Sequence, residues 1–540
     1  MTVTGWFLIL GIIQIIHFLG TWKMYLAAGR KAWEALAPVY NGVILMKIIN
    51  RPWWWVILLF VPIVNLIMIP VVWVETARSF GFNKTKDTLL TVFTLGFYLF
   101  YLNYTQKLTH IKERSLKPKT SSGEWVSSIL FAVVAATIVH TYFMQPFTIP
   151  SSSLEKTLLV GDYLLVSKFH YGARIPMTSV GLPMVHDSIP LTKSKSYLSK
   201  PQLPYLRLPG FQDIKRNDIV VFNWPVDTLI DIRPGYMYGS VQKPIDKKTN
   251  YVKRCVGLPG DSLEVRDGYV FINGKQNELP DRAKLQHSYW VKYKKPELRL
   301  SDLQLRSQYG ITDGTSEYNR ETEEFKIQAV TEEVSIRLKN HPNVANVRRD
   351  ISPKGEMEVL RYMDSHNRLI ENTKVMFPNN GNIPWNNSNF GPIYIPKAGV
   401  TVTITPESIP FYKLIIETYE GSEIGIENTI SQSGTQVFLN GQPITQYTFK
   451  MDYYWMMGDN RDNSQDARTW GYVPFNHVVG KPVFVWMSWE NGIFRGGRWD
   501  RFFTTVGGTG KPISYFKYFL ILIAGWYLFS FIRKRKKAKA

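Results

Sequence analysis

The chain predicts a multi-pass α-helical membrane anchor joined to a mainly antiparallel β domain that carries an inserted α+β subdomain. Three observations carry that prediction. Apolar stretches of roughly 20 residues crowd the first quarter of the chain and recur once near its C-terminus. Between them, short β-branched and aromatic runs end in turn residues, and a long polar stretch interrupts those runs. At 540 residues the chain holds several domains rather than one core.

Five stretches, at about 6–22, 53–74, 88–104, 125–144 and 513–532, are apolar enough to cross a bilayer as helices. Pro62, Asn65 and Pro70 interrupt the second, which fits a kinked or re-entrant path, and the third is short. The first lacks the charge order of a cleavable leader: Met1-Thr2-Val3-Thr4-Gly5 carries no Lys or Arg, whereas Lys23, Arg30 and Lys31 follow it. Positive charge therefore puts the N-terminus outside and Lys107, Lys112, Arg114, Lys117 and Lys119 inside. The fourth segment exits, residues from about 145 to 511 lie outside, and the fifth returns to an inside tail, Arg533-Lys534-Arg535-Lys536-Lys537. Lys84 and Lys86 are exceptions, because five crossings leave them outside.

The net charge of +21 sits largely beside these segments, so it reads as a topology determinant. No RNA-binding signature or zinc-ligand spacing accompanies it, so neither nucleic acid nor a metal or other cofactor is expected. Cys255 is the single cysteine, which excludes an intrachain disulfide and fits a small apolar strand residue.

In the external region, Asp218–Phe222, Tyr269–Gly274 and Val437–Gly441 read as strands, and the last two end in Asn-Gly, a tight-hairpin signal. Residues 281–431 are more polar and read as the inserted subdomain, with a helix at 332–339 and a strand at 412–419. Residues 173–212, rich in Pro, Ser and Lys, read as a surface excursion. Phe484-Val485-Trp486-Met487-Ser488-Trp489, with Phe494 and Trp499, fits either a core strand or an aromatic belt near the membrane. The expected domains are 1–123, a membrane region; 124–146, a transmembrane helix; 147–280 and 432–510, two parts of the β domain; 281–431, the insertion; and 511–540, a final helix and basic tail.

Ser153 follows the fourth apolar helix by a few residues, and Lys253 lies in the strand-like run Tyr251-Val252-Lys253-Arg254-Cys255-Val256. A serine hydroxyl needs a base to become a nucleophile, and no His occurs in these motifs. An ordinary lysine is free base to roughly one part in 2,500 at pH 7, and a pKa near 8 raises that to about a tenth. Apolar neighbours on the strand would supply such a shift, while Arg254 should point to the opposite face. Taken singly, Lys253 also reads as an exposed strand lysine, and Ser153 as a helix-start residue with Glu155 completing a capping sequence. Their combination beside a membrane is what suggests a Ser/Lys dyad peptidase.

Phe147-Thr148-Ile149-Pro150-Ser151-Ser152-Ser153-Leu154-Glu155-Lys156-Thr157-Leu158, followed by Gly161-Asp162, resembles the nucleophile box of type I signal peptidases. Asp218–Phe222, Tyr251–Asp261 and the run from Gly458-Asp459-Asn460-Arg461-Asp462-Asn463-Ser464-Gln465-Asp466 to Gly471 resemble that family's later boxes, in order. The resemblance implies Ser153 as nucleophile and Lys253 as general base, with the Ser153 N–H and the Ser151 hydroxyl forming the oxyanion hole. It further implies that Ser464 orients Lys253, and that Asp466 and Arg468 form a supporting ion pair. Phe147, Ile149, Leu154, Leu158, Val221, Tyr251 and Val252 would line shallow substrate pockets, selecting small residues at the first and third positions before the cut. The implied partners are secretory preproteins, membrane lipid and protein-export machinery, at the cytoplasmic membrane with the catalytic domain extracytoplasmic and the tail cytoplasmic. The chain departs from the family at Ser152, where Gly is usual, at Leu154 (Met), at Lys156 (Pro) and at Ala467 (Ser).

Ser153-Leu154-Glu155-Lys156 also satisfies Ser-x-x-Lys, but the later Lys-Thr-Gly and Ser-Asp-Asn elements of penicillin-binding enzymes do not follow. A calcium loop at Asp462–Asp466 fails because Ala467 and Val473 stand where Gly and Glu are required. The competing class is an inactive or partner-dependent membrane assembly factor on the same fold.

Overall fold

The computed structural model describes residues 3–118, 120–192, 194–227, 243–363, 369–372, 375–490 and 492–539. Met1, Thr2 and Lys119, used in the topology reading, lie outside them. The chain divides into two compact units: residues 1–143 with 174–207, and residues 144–173 with 208–540.

In the first unit, two helices are long and apolar enough to cross a membrane, Thr4–Ala27 and Ser121–Phe143. The expected segments at 53–74 and 88–104 are not continuous helices. The former breaks into Trp55–Leu58 and Asn65–Ser79, and the latter into Thr85–Phe93 and Tyr98–Thr105. Pro62 removes an amide donor at the first break and Ile63 adopts φ 69° there. Leu95 and Gly96 turn the second with φ 51° and 85°. Met24, Tyr25, Ile44, Met46, Ile49, Val72, Leu99 and Leu102 form this unit's own core. The excursion groups with it as well, and Trp6 Nε1 donates to the Gln202 carbonyl at 3.2 Å.

The second unit is built on one antiparallel sheet and ends in a third apolar helix, Phe516–Arg535. In space the strands run Met144–Thr148, Asp162–Ser167, Val478–Ser488, Ile219–Asn223, Asn250–Gly257, Tyr453–Met457 and Val473–Pro474. The register sets Val220 opposite Lys253 and Val221 opposite Val252. Ile219–Asn223 and Tyr453–Met457 are buried along their whole length, which matches their apolar sequences. Cys255, on Asn250–Gly257, is buried as well. Both expected Asn-Gly hairpins form, with Asn273 and Gly274 at φ 51° and 81° and Asn440 and Gly441 at 53° and 79°. This is the left-handed pair that two-residue turns require.

The polar stretch 281–431 does not behave as one body. His287–Tyr293, Thr315–Asn319, Glu324–Val330 and Val344–Arg349 form a separate sheet, which packs with helices Asp302–Tyr309 and Glu332–Lys339 around Val291, Leu305, Ile327 and Leu338. Beyond it, Phe390, Ile393, Ile395, Ile409, Ile415 and Tyr419 enter the main β core. The expected strand at 412–419 is helical, as Ile409–Leu414 continuing into a wider turn, Ile415–Tyr419. Ile409, Tyr412, Ile415, Ile416 and Tyr419 recur at three- and four-residue spacing and are all buried, so a helical face outweighs the β-branched composition.

Residues of the aromatic run differ in burial. Trp489 is buried in the fold, whereas Trp499 is 57 % exposed and stacks on Phe516 at the start of the last helix, 5.7 Å between rings.

Candidate active site

Ser153 sits in a single 3-10 turn, Ser152–Leu154, that links two adjacent strands of the main sheet. The turn is anchored by its neighbours. Leu154 and Leu158 bury themselves with Ile149, Val221 and Val485. Asp162 takes the Leu159 amide at 2.8 Å and the Ser488 hydroxyl at 2.6 Å and pairs with Arg501. Ser151, in extended conformation before the turn, makes no capping hydrogen bond there and is an exposed residue.

Lys253 reaches this turn from its strand, and its Nζ lies 2.6 Å from Ser153 Oγ. Both side chains are buried, and Nζ stands 5.5 Å from the Tyr251 ring centre. Burial pushes the lysine pKa down to about 8; Asp466 and Asp459 pull it back up, and Arg468 adds to the lowering. The site therefore holds a weakly basic amine against a hydroxyl, the arrangement that proton abstraction from serine requires.

Asp466 and Arg468 form a fully buried ion pair at 2.9 Å, and Asp466 also accepts the Gly458 amide at 3.1 Å. Burial opposes ionisation of Asp466, but the Arg468 guanidinium more than offsets it and holds the carboxyl below its usual range. Ser464 presents a buried hydroxyl oxygen with no hydrogen-bond partner among the described residues, beside Gly458. A side chain at Gly458 would strike both that hydroxyl and the Ser153 carbonyl, so the close approach requires glycine.

The expected substrate-lining residues separate into two groups. Phe147, Ile149, Leu154, Leu158, Val221 and Val252 share one apolar cluster, with Phe147 and Val252 half-buried at its margin. Tyr251 packs elsewhere, stacked on Trp224 at 5.1 Å, because neighbouring side chains on a strand face opposite ways.

Sequence reasoning missed three features. Arg254 forms a bidentate pair with Asp459, at 2.7 and 2.6 Å, and Thr157 Oγ1 donates to the same carboxylate at 2.7 Å. The lysine strand, the nucleophile loop and the Gly-Asp-Asn box are thereby tied together, and breaking such a buried pair costs about 3–5 kcal/mol. Asn460 donates its amide to the Ser153 carbonyl at 3.1 Å. The third is Asp313, from the separate α+β body. It accepts from Ser152 Oγ at 3.3 Å, Asn460 Nδ2 at 3.1 Å and Asn463 Nδ2 at 2.7 Å. On the same side, Lys156 donates to the Gly310 carbonyl. Lys156 has φ 67°, which proline cannot adopt, so the backbone departs from the family pattern at that position. No group of three or more potential metal ligands occurs among the described residues.

A buried serine–lysine pair on a β domain bounded by apolar helices defines the class of membrane-anchored serine endopeptidases. Comparison with known proteins narrows it. Residues 122–337 and 401–489, more than half of the chain, match the family of signal peptidases, peptidase S26, and the chain belongs to that family. Its reaction is accordingly the hydrolytic removal of signal peptides. Among its relatives, signal peptidase I of Buchnera aphidicola from Acyrthosiphon pisum is 25 % identical over 69 % of this chain and 78 % of the relative. Signal peptidase I of Rickettsia massiliae is 30 % identical over 33 % of this chain and 52 % of the relative. Residues 33–113 separately match a family of unknown function, DUF5684.

Proposed function

We propose that the chain cleaves secretory preproteins at the extracytoplasmic face of the cytoplasmic membrane, using Ser153 as nucleophile and Lys253 as general base. The observation that carries this reading is the 2.6 Å approach of Lys253 Nζ to Ser153 Oγ. Lys253 accepts the hydroxyl proton as Oγ bonds to the scissile carbonyl carbon, and the negative charge passes to the carbonyl oxygen. The Ser153 N–H and a rotated Ser151 hydroxyl meet that oxyanion. Lys253 then returns the proton to the departing amine, leaving the signal peptide as an ester on Ser153. A water deprotonated by Lys253 hydrolyses the ester and restores the hydroxyl.

Asp466–Arg468 fixes the box that lies under the dyad, and the Ser464 hydroxyl stands in reserve to orient Lys253 when substrate arrives. The margin of the apolar cluster at Phe147 and Val252 offers contacts for small side chains before the cut. Pocket discrimination between similar apolar groups is modest, about 1–3 kcal/mol per methylene, so confinement of the preprotein to the membrane adds to selection. The basic tail after Phe516–Arg535 fits the cytoplasmic side.

The test is cleavage of a secretory precursor by the detergent-solubilised full chain, beside Ser153→Ala. Cleavage after a small-x-small sequence, lost in the variant, is expected. A folded parent that leaves every precursor intact would favour a partner-dependent assembly factor instead.

A further inference from the structure

The two broken apolar segments lie within the part of the chain that matches a family of unknown function. Their ends are tied together. Arg51, just before the first segment, and Arg114, after the second, both pair with Glu75, which follows the first segment, at 2.8 and 2.7 Å. Arg78 joins the same carboxylate at 3.5 Å. Around this knot, Asn50 Nδ2 donates to the Lys112 carbonyl at 2.6 Å, and the Ile111 amide donates to the Ser79 carbonyl at 2.9 Å. A bilayer core is about 30 Å thick. Groups within hydrogen-bond distance of one another cannot lie on opposite sides of it.

Each broken segment packs beside a spanning helix. At the first, Val64 and Met68 pack on Val134, near the middle of Ser121–Phe143. At the second, Tyr98–Thr105 runs parallel to the first helix: Phe100 fills the space over Gly20, and Asn103 accepts the Lys23 amide and donates to the Leu19 carbonyl. Tyr98, where that helix starts, therefore lies about 3 Å deeper than Phe100 at 1.5 Å per helical residue, and the turn at Leu95 and Gly96 precedes it, with Gly96 against Trp73. The segments expose what lipid would cover: Ile57 and Phe60 towards the first turn, Phe93, Leu95 and Phe97 at the second. Phe93 is 80 % and Leu95 71 % exposed.

We propose that residues 50–114 form two re-entrant hairpins that dip into the lipid of one leaflet and return to the same face, so that the chain crosses the membrane three times. Removing two consecutive crossings leaves the sidedness of every other segment unchanged. It also moves Lys84 and Lys86 to the face that carries Lys23, Arg30, Lys31, Lys107, Lys112 and Lys117, so the charge rule holds without exception. Trp6, at the other end of the first helix, contacts Gln202 of the excursion, as a single crossing between Trp6 and Lys23 requires.

Cysteine accessibility tests this independently of catalysis, because the single native cysteine, Cys255, is buried. Lys86→Cys, Leu95→Cys and two references, Lys195→Cys in the excursion and Lys117→Cys before the second spanning helix, are probed with a membrane-impermeant maleimide. Spheroplasts and inside-out vesicles are compared. Lys86→Cys is expected to label with Lys117→Cys in inside-out vesicles only, and Leu95→Cys from neither side. Labelling of Lys86→Cys from the side of Lys195→Cys would overturn the proposal in favour of five crossings. Ready labelling of Leu95→Cys would overturn it in favour of a bundle lying outside the lipid.

Discussion

At the residue scale, the proposed mechanism turns on how burial treats one lysine, Lys253. A free-base population of about a tenth at pH 7 follows from a pKa of about 8. A base acts when deprotonated, so kcat/KM should rise with pH through an apparent pKa near 8 and fall about tenfold per unit well below it. A pH profile of precursor cleavage that is flat from 6 to 9 would exclude Lys253 as the titrating base. The same shift has a stability consequence of opposite appeal. The folded pKa lies below the unfolded one, so protonation opposes folding, and stability should rise with pH between about 8 and the ordinary lysine value. Lys253→Met should therefore abolish cleavage yet melt at or above the parent temperature at pH 7. A variant that unfolds at lower temperature would assign the lysine a structural role. Ser153 and Lys253 were legible in the sequence because each lies in a long, distinctive box. The Arg254–Asp459 pair was half-legible: both partners stood in the quoted boxes, but no local pattern states that they meet across 205 residues.

At the element scale, local chemistry was read correctly where it dominates, as in the Asn-Gly hairpins at 273–274 and 440–441. It misled where β-branched residues carried a helical spacing, at 409–419. Polarity alone did not separate residues 287–349, which have a core of their own, from the later stretch that returns to the main core. One result of that separation is a prediction. Asp313 reaches from the α+β body to Ser152, Asn460 and Asn463, and so fixes the turn that carries Ser153, the proposed nucleophile. It touches neither dyad atom, which makes it a positioning residue. Asp313→Ala should lower kcat by about tenfold with little change in KM, because misplacement of a nucleophile costs rate rather than ground-state binding. Asp313→Asn, which keeps acceptor oxygen and shape, should recover much of the loss. Equal damage from both variants, accompanied by a lower melting temperature, would point to folding rather than positioning.

At the scale of the whole molecule, hydropathy located the apolar segments but could not distinguish crossing from returning. That distinction rests on contacts such as Arg51–Glu75–Arg114, which join residues that are far apart in sequence. The division of labour is clearer. The proposed dyad, its neighbouring ion pairs and the two apolar clusters of the β domain draw on residues 144–506, and the signal peptidase match begins at residue 122. The preceding unit has its own core and its own family match. A chain lacking residues 3–117 but keeping Ser121–Phe143 and Phe516–Arg535 should therefore insert and cleave precursor in detergent at close to the parent rate. The excursion 174–207, which groups with the deleted unit, should then become the preferred site of limited proteolysis while the dyad remains active. Loss of cleavage by a shortened chain that still inserts would mean that the N-terminal unit supports catalysis directly, and the two family matches would have to be read as one machine.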